Sequence, residues 1–376
     1  MVERQKDFSR EFRGEGLMPS GFKALCQMGL EDQVRELPQV KIRGAEIYQK
    51  GKFIAHLEPN FLRQDPGANW ISQPALLEML IGKCQGRPGF SFLRGWRCAG
   101  LIEKDGRVRG IKVVQGSEIR KIEGDIVIGA DGRASILRKL LNPKSHVYKQ
   151  IIDVVWFKIS RPEFIKNGIG LISLSPGNAI LSFPVYGNQL QVGWLIKKGH
   201  FGGIKRQGKE ALFQNLASGL PGHFADYLKK NYEKISDYFV LDVACSCLQT
   251  WHQRGVLMIG DASHAMSPVA AQGINLALRD SIVVANELIP SIKDNRADEE
   301  SIDEAFKRIQ RERIEEVRRI QKLQQVPPKL LFQQNIPAKL LVRNLPWLSS
   351  MTLVQEVFTR IANTFAFGYS DVTLKI

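Results

Sequence analysis

Two stretches of this 376-residue chain set carboxylates and glycines where an apolar strand would end and a helix would begin. The first runs Asp125-Ile-Val-Ile-Gly-Ala-Asp-Gly-Arg-Ala-Ser-Ile-Leu-Arg138. It predicts a buried apolar strand over 125–130 that ends in Gly129-Ala130-Asp131-Gly132, and a helix from about residue 133. A carboxylate there can accept hydrogen bonds from ribose hydroxyls, and glycine lets the backbone approach a ligand closely. Asp and Gly also populate ordinary strand-to-helix turns, so this stretch alone leaves both readings open. The second runs Gly255-Val-Leu-Met-Ile-Gly-Asp-Ala-Ser-His-Ala-Met-Ser-Pro-Val-Ala-Ala-Gln-Gly-Ile-Asn-Leu-Ala-Leu-Arg-Asp280. A buried strand over 256–259 delivers Asp261 at its carboxyl end, Pro268 stiffens the loop, and Gln272-Gly273-Ile274-Asn275 opens a helix reaching about residue 288. Asp261 can accept hydroxyl hydrogen bonds while the free N–H groups of the helix start stabilise negative charge, which suits a ligand with polyol and phosphate groups.

His264 shares the second loop with Asp261 and Ser263, but residues of one loop in this order do not make a nucleophile triad, so its reading is structural or cofactor-side. Cys245 and Cys247, two apart in a strand-like segment, read as packing. The five cysteines, with Cys26, Cys84 and Cys98, are odd in number and contain no CxxC pair, which excludes a disulfide framework and a zinc site and places the chain by default in a reducing cytoplasm. No residue is assigned as a catalytic acid or base.

The elements that must position these loops follow from periodicity. A helix is expected over 19–30 and another over 73–83. Short strands fill 40–57, and a meander over 97–103, 107–115 and 118–123 turns at Asp105-Gly106. A second sheet is expected from strands around 151–159, 169–174, 179–185 and 189–196. From Ser301, a capping box opens a helix that Pro327-Pro328 stops, and apolar helical pieces broken by Pro337 and Pro346 end the chain.

Hydrophobic residues are 44% and charged residues 24% of the chain, enough for a sizeable core and against overall disorder. The net charge of +15 raises the question of nucleic acid or an anionic membrane surface. No arginine-rich tract with interleaved aromatics accompanies it, so no nucleic-acid partner is expected. No apolar run reaches the ~18 residues of a membrane span, which leaves peripheral membrane contact open.

With both loops read, the chain resembles the FAD-dependent aromatic-hydroxylase flavoproteins of the para-hydroxybenzoate hydroxylase type. The family pattern GADGxxSxLR matches at Gly129, Ala130, Asp131, Gly132, Ser135, Leu137 and Arg138, and GDAxHxxxPxxxQGxN at Gly260, Asp261, Ala262, His264, Pro268, Gln272, Gly273 and Asn275. The stretch Phe12-Arg13-Gly14-Glu15-Gly16-Leu17-Met18-Pro19 resembles the family's flavin-contacting arginine segment, and Gln73 stands where the family places an Arg or Gln near the cofactor. The resemblance spans about residues 2–325. The family's opening GxGxxG turn does not occur, and Val2-Glu3-Arg4 looks like the end of the second strand, so an N-terminally truncated member is expected with Glu3 as the ribose acid.

The resemblance implies an α/β fold. An FAD-binding Rossmann-like domain of glutathione-reductase type would comprise 1–40, 70–146 and 245–290, interleaved with an α+β substrate domain of 41–69 and 147–244 and followed by a helical region of 291–376. It implies a monooxygenase in which NADH or NADPH reduces FAD, and O2 is used to oxygenate an aromatic or other electron-rich small molecule. The alternative is a non-catalytic flavoprotein remnant or a flavin-dependent dehydrogenase or reductase. Implied cofactor contacts are Glu3, Arg13, Gln73, Asp131, Gly132, Arg138, Gly260, Asp261, Pro268, Gly273, Ile274 and Asn275, with Phe183, Pro184 and Trp194 lining the substrate.

Overall fold

The alternating apolar pattern in the middle of the chain folds as a seven-stranded sheet in the computed structural model, which describes residues 1–9, 15–175, 177–235, 237–293, 298–332, 344, 347 and 351–376. Its strands lie in the order Tyr238–Leu241, Ile152–Ser160, Gln189–Lys197, Asn178–Val185, Ile169–Ser175, Gly44–Gln49 and Lys52–Leu57. All neighbours are antiparallel except Ile169–Ser175 beside Gly44–Gln49. Side chains alternate between two unlike faces. On the outer face Val155, Phe157, Leu171, Ile180, Val192 and Trp194 pack under the helices Gly208–Ala217 and Gly222–Asn231, through Leu212, Phe213, Leu216, Phe224 and Leu228. Fully burying a Leu or Phe in this way contributes roughly 1.5–3 kcal/mol. On the inner face Trp156, Ile172, Leu181 and Phe183 remain only half-buried.

The parallel strands that carry the two loops are short. Val2–Glu3 pairs with Leu93–Arg94, and in a separate sheet Val127–Gly129 pairs with Val256–Met258, which His252–Gln253 flanks antiparallel on its other side. Val256–Met258 is completely buried, as expected. The expected buried strand over 125–130 is corrected: it spans Val127–Gly129, and Ile128 is 44% exposed. Val127 packs with Val108, Leu137 and Val256, and strand alternation turns Ile128 to the other face, which nothing in this cluster covers.

The helix Gln272–Lys293 lies against Glu299–Gln324, and Leu276, Ile282 and Val283 interlock with Ile302, Phe306, Ile309, Val317 and Ile320. The cap of the second helix stands three residues before the expected one: Asp298 accepts the Ser301 N–H at 2.7 Å, so the helix opens at Glu299. Pro327 and Pro328 end it and also occupy the first turn of the helix Val326–Phe332, where proline's missing N–H is harmless. The first helix is Pro19–Gln27, with an unexpected second one at Glu31–Glu36, and Gln73–Gln85 follows expectation. Pro337 and Pro346 lie outside the described residues. Among the described residues no helix is long and apolar enough to cross a membrane.

Candidate functional site

The register Val127↔Val256, Ile128↔Leu257, Gly129↔Met258 sends both loops off the same end of one parallel pair. Gly260, at φ +58, turns the chain after the second strand, a left-handed conformation that a side chain would strain. Its N–H donates to Asp280 Oδ2 at 3.1 Å. Asp261 then projects back toward the first loop, where Arg133 Nε lies 3.2 Å from its Oδ2. The Met266 N–H is 3.4 Å from the other carboxylate oxygen, and the Asp261 side chain keeps 29% of its surface exposed. Arg133 Nη2 donates to the Met266 carbonyl at 2.9 Å, and its Nη1 is buried with no partner among the described residues.

Arg133 therefore joins the two loops, and the sequence reading passed over it. In the pattern GADGxxSxLR it falls on a variable position, so motif matching treats it as a spacer. The signal was its charge next to a carboxylate-bearing turn. The motif residues around it shape that turn instead. Asp131 accepts the N–H groups of Ile136 at 2.7 Å and Leu137 at 3.3 Å, and Ser135 Oγ accepts that of Arg138 at 3.0 Å. These bonds satisfy free donors at the start of the helix Ile136–Leu141. Arg138 donates to the Arg133 carbonyl, and Gly132 sits at the corner before it.

Past Pro268, the second loop holds two successive alanines, Ala270 at φ 58 and Ala271 at φ 53, in the left-handed region, at roughly 1–3 kcal/mol each. Glutamines hold it there: Gln324 Nε2 donates to the carbonyls of Ser267 at 2.9 Å and Val269 at 2.7 Å, and Gln272 Nε2 to those of Ala270 at 2.8 Å and Phe365 at 2.9 Å. The Asn275 side chain is fully used in packing, donating to the carbonyls of Gly16 at 3.0 Å and Ala271 at 2.7 Å and accepting the Met18 N–H at 2.8 Å. Gly16 permits this approach, since a Cβ there would stand 2.6 Å from that of Ala271. Ile274 packs with Leu17, Phe22 and Ile71. Gly273 differs, because a Cβ built on it would find only Asp261 Oδ1, at 4.0 Å. The helix start and the Asp261 carboxylate thus border one open space.

His264 belongs to the loop's anchor. Its Nε2 lies 2.7 Å from Asp280 Oδ2, and Arg313 Nε lies 2.8 Å from Asp280 Oδ1. Arg313 also pairs with Glu316, which holds Arg279 Nη1 at 2.9 Å. Burial pushes the Asp280 carboxyl up, but His264 and Arg313 outweigh it and hold the group down at about 2. Cys245 and Cys247 are buried free thiols, and burial raises Cys245 to about 11, which suits packing.

Glu3 accepts the Gln5 N–H at 2.8 Å, and Gln73 is the first residue of its helix, after the cap Ser72. Arg13 lies outside the described residues. Of the substrate candidates, Phe183 is on the inner face, stacked on Trp70 with centroids 4.7 Å apart and clustered with Ala271. Trp194 is on the opposite, helix-covered face, where its Nε1 donates to Asn178 Oδ1 at 2.8 Å, and alternation turns Pro184 to that face too. The sequence shows only that aromatic residues lie on these strands; which face each takes depends on pairing register.

A model of the FAD binding domain family matches residues 1–318. The chain belongs to this family of flavoprotein monooxygenases. Its cofactor is FAD, and it is an oxidoreductase. It is 27% identical to a 6-methylpretetramide 4-monooxygenase of Streptomyces rimosus, over 100% of this chain and 87% of that protein. Squalene epoxidase 1 of Arabidopsis thaliana is 23% identical over 77% of the chain, a match spanning 54% of the epoxidase. The fold is shared with HpxO of Klebsiella pneumoniae complexed with FAD and uric acid, at TM-score 0.76 and 15% identity over 96% of this chain and 90% of that one. It is also shared with PqsL of Pseudomonas aeruginosa in complex with 2-aminobenzoylacetate, at TM-score 0.75 and 18% identity over 91% and 92%.

Proposed function

We propose that this protein takes electrons from NADH or NADPH and uses O2 to oxygenate an electron-rich aromatic small molecule, in the cytoplasm. The observation that carries the reading is the joint of the two loops at Arg133 and Asp261. A buried guanidinium donor without a partner stands beside a part-exposed carboxylate and an open helix start, which fits a group bearing both phosphates and hydroxyls. Free thiols at Cys26, Cys84, Cys98, Cys245 and Cys247 support a reducing compartment.

FAD, when bound, supplies the two-electron reduction and oxygen activation that no side chain provides. Asp261 would accept its hydroxyl hydrogen bonds, and Arg133 would offset phosphate charge while pinning the Met266 carbonyl. The N–H groups at Gly273, Ile274 and Asn275, in the first turn of the helix Gln272–Lys293, would stabilise negative charge at the flavin's ring end. Pro268 and the two left-handed alanines fix the loop's path, and Phe183 on Trp70 walls the substrate side from water.

The test is the purified chain incubated with FAD, desalted, and assayed with NADH or NADPH and 18O2 in the presence of phenolic compounds. Retained flavin absorbance and 18O in the product are expected. A colourless protein, or NAD(P)H oxidation that never places 18O in an organic product with any phenol, would overturn the reading.

A further inference from the structure

The inner face of the seven-stranded sheet carries a row of residues set by strand register. Lys158 pairs with Gln191, Gln191 with Phe183, and Phe183 lies across from Gly170, as Leu171 pairs with Ser182. Gly170 leaves room for the Phe183 ring to lie over the sheet, and one step along, Gly193 does the same for Trp156. Phe183, Trp156, Leu181 and Ile172 keep part of their surface accessible on this face, where Trp156 and Leu181 also pack with Leu331 and Phe332 of the helix Val326–Phe332, whereas the outer-face residues are fully covered by two helices. The accessible surface therefore carries two aromatic rings, and its Phe183 end lies next to Ala271 of the second loop.

Two polar groups interrupt it, and they are unlike. Lys158 is 9% exposed, and its Nζ lies 3.0 Å from Glu15 Oε1 and 3.2 Å from Tyr186 Oη. Burial pulls the ammonium down, but Glu15 and Tyr186 outweigh it, so the lysine stays charged and its charge is balanced by a carboxylate. Gln191 is 5% exposed, and its carboxamide makes no hydrogen bond among the described residues. Neither of its polar atoms is sealed from solvent, so the little surface it keeps includes them. A carboxamide placed so can bond water through that surface, or a ligand that takes the water's place.

We propose that Gln191 is the residue that selects and orients the substrate, a planar ring lying on the Phe183–Trp156 surface whose neutral hydroxyl or carbonyl hydrogen-bonds the Gln191 carboxamide. The amide offers one acceptor and two donors and no charge, and the neighbouring cation is already paired with Glu15, so a carboxylate finds no free countercharge at this position to offset its lost hydration. This rests on the monooxygenase reading and adds the chemistry of substrate recognition to it.

The test measures binding of 2-naphthol, naphthalene and 2-naphthoate to the FAD-loaded protein by equilibrium dialysis, for wild type, Gln191→Leu and Gln191→Glu, with flavin content and Tm recorded for each. Wild type is expected to bind 2-naphthol about tenfold or more tighter than either analogue, the weight of one buried hydrogen bond. Gln191→Leu should erase that preference with naphthalene binding unchanged. Gln191→Glu should keep 2-naphthol within about threefold, because a carboxylate still accepts from the hydroxyl, and weaken 2-naphthoate further. Equal 2-naphthol affinity in wild type and Gln191→Leu overturns the proposal, as does a wild type that prefers the naphthoate. If Gln191→Leu does not fold, loss of 2-naphthol binding in folded Gln191→Glu overturns it. A wild type that holds FAD but binds none of the three sinks this proposal and leaves the monooxygenase reading intact; one that holds no FAD sinks both.

Discussion

Asp131 and Asp261 stand after the ends of neighbouring parallel strands, in loops of similar composition, yet their surroundings differ. Asp131 reaches a helix that starts five residues later, and one of its carboxylate oxygens, Oδ2, accepts two backbone N–H groups there. Asp261 is eleven residues from the helix Gln272–Lys293, too far to cap it, and its carboxylate meets Arg133 and an open space. Loop length decides which of the two acids also caps the helix that follows. The contrast can be broken or sharpened at four positions.

The largest effect is expected where the second loop is anchored. Asp280→Ala leaves His264 buried without its carboxylate and Arg313 buried with Glu316 alone, and should lower stability by about 3–5 kcal/mol in urea unfolding. The same group sets an acid limit. Its folded pKa of about 2 lies below the ordinary 3.8, so its contribution is complete above that ordinary value and is lost as pH falls through 2. Thermal melts from pH 5 to pH 2 should show this loss, and Asp280→Asn should flatten it.

Next comes the acid that borders the open space. Asp261→Ala should weaken FAD binding by roughly 10–100-fold, the weight of hydrogen bonds to a charged acceptor, with Tm nearly unchanged. Arg133→Ala should weaken it by about tenfold. The two should combine less than additively because the side chains touch, and a double-mutant cycle on FAD affinity measures that coupling. The smallest effect is the reverse case: Asp131→Ala should cost about 1 kcal/mol of stability as a lost cap and leave FAD affinity within about threefold.

The sequence disclosed what local chemistry determines. Both loops, the four central strands of the sheet and the helix after Gln272 are set by apolar runs, turn residues and glycines, and each lies within a few residues of expectation. What escaped depends on partners distant in the chain. Arg133 acquires its role from Asp261, 128 positions on, and its charge beside a carboxylate-bearing turn does not say which acid it meets. Trp194 and Phe183 look alike as aromatic strand residues, and only register sends one under the helices and the other toward Ala271. Gln191 carries no motif at all; its significance is being buried without a partner. An apolar run predicts a buried Ile128, but among the described residues the cluster around its strand covers only the Val127 face.

The central claim is that Asp261 and not Asp131 holds the cofactor, and the most direct measurement is the FAD dissociation constant of wild type, Asp261→Ala and Asp131→Ala under one condition. At least a tenfold loss for Asp261→Ala, with Asp131→Ala within about threefold of wild type, is the predicted result. Equal losses for the two variants, or an unchanged constant for Asp261→Ala, would contradict the account.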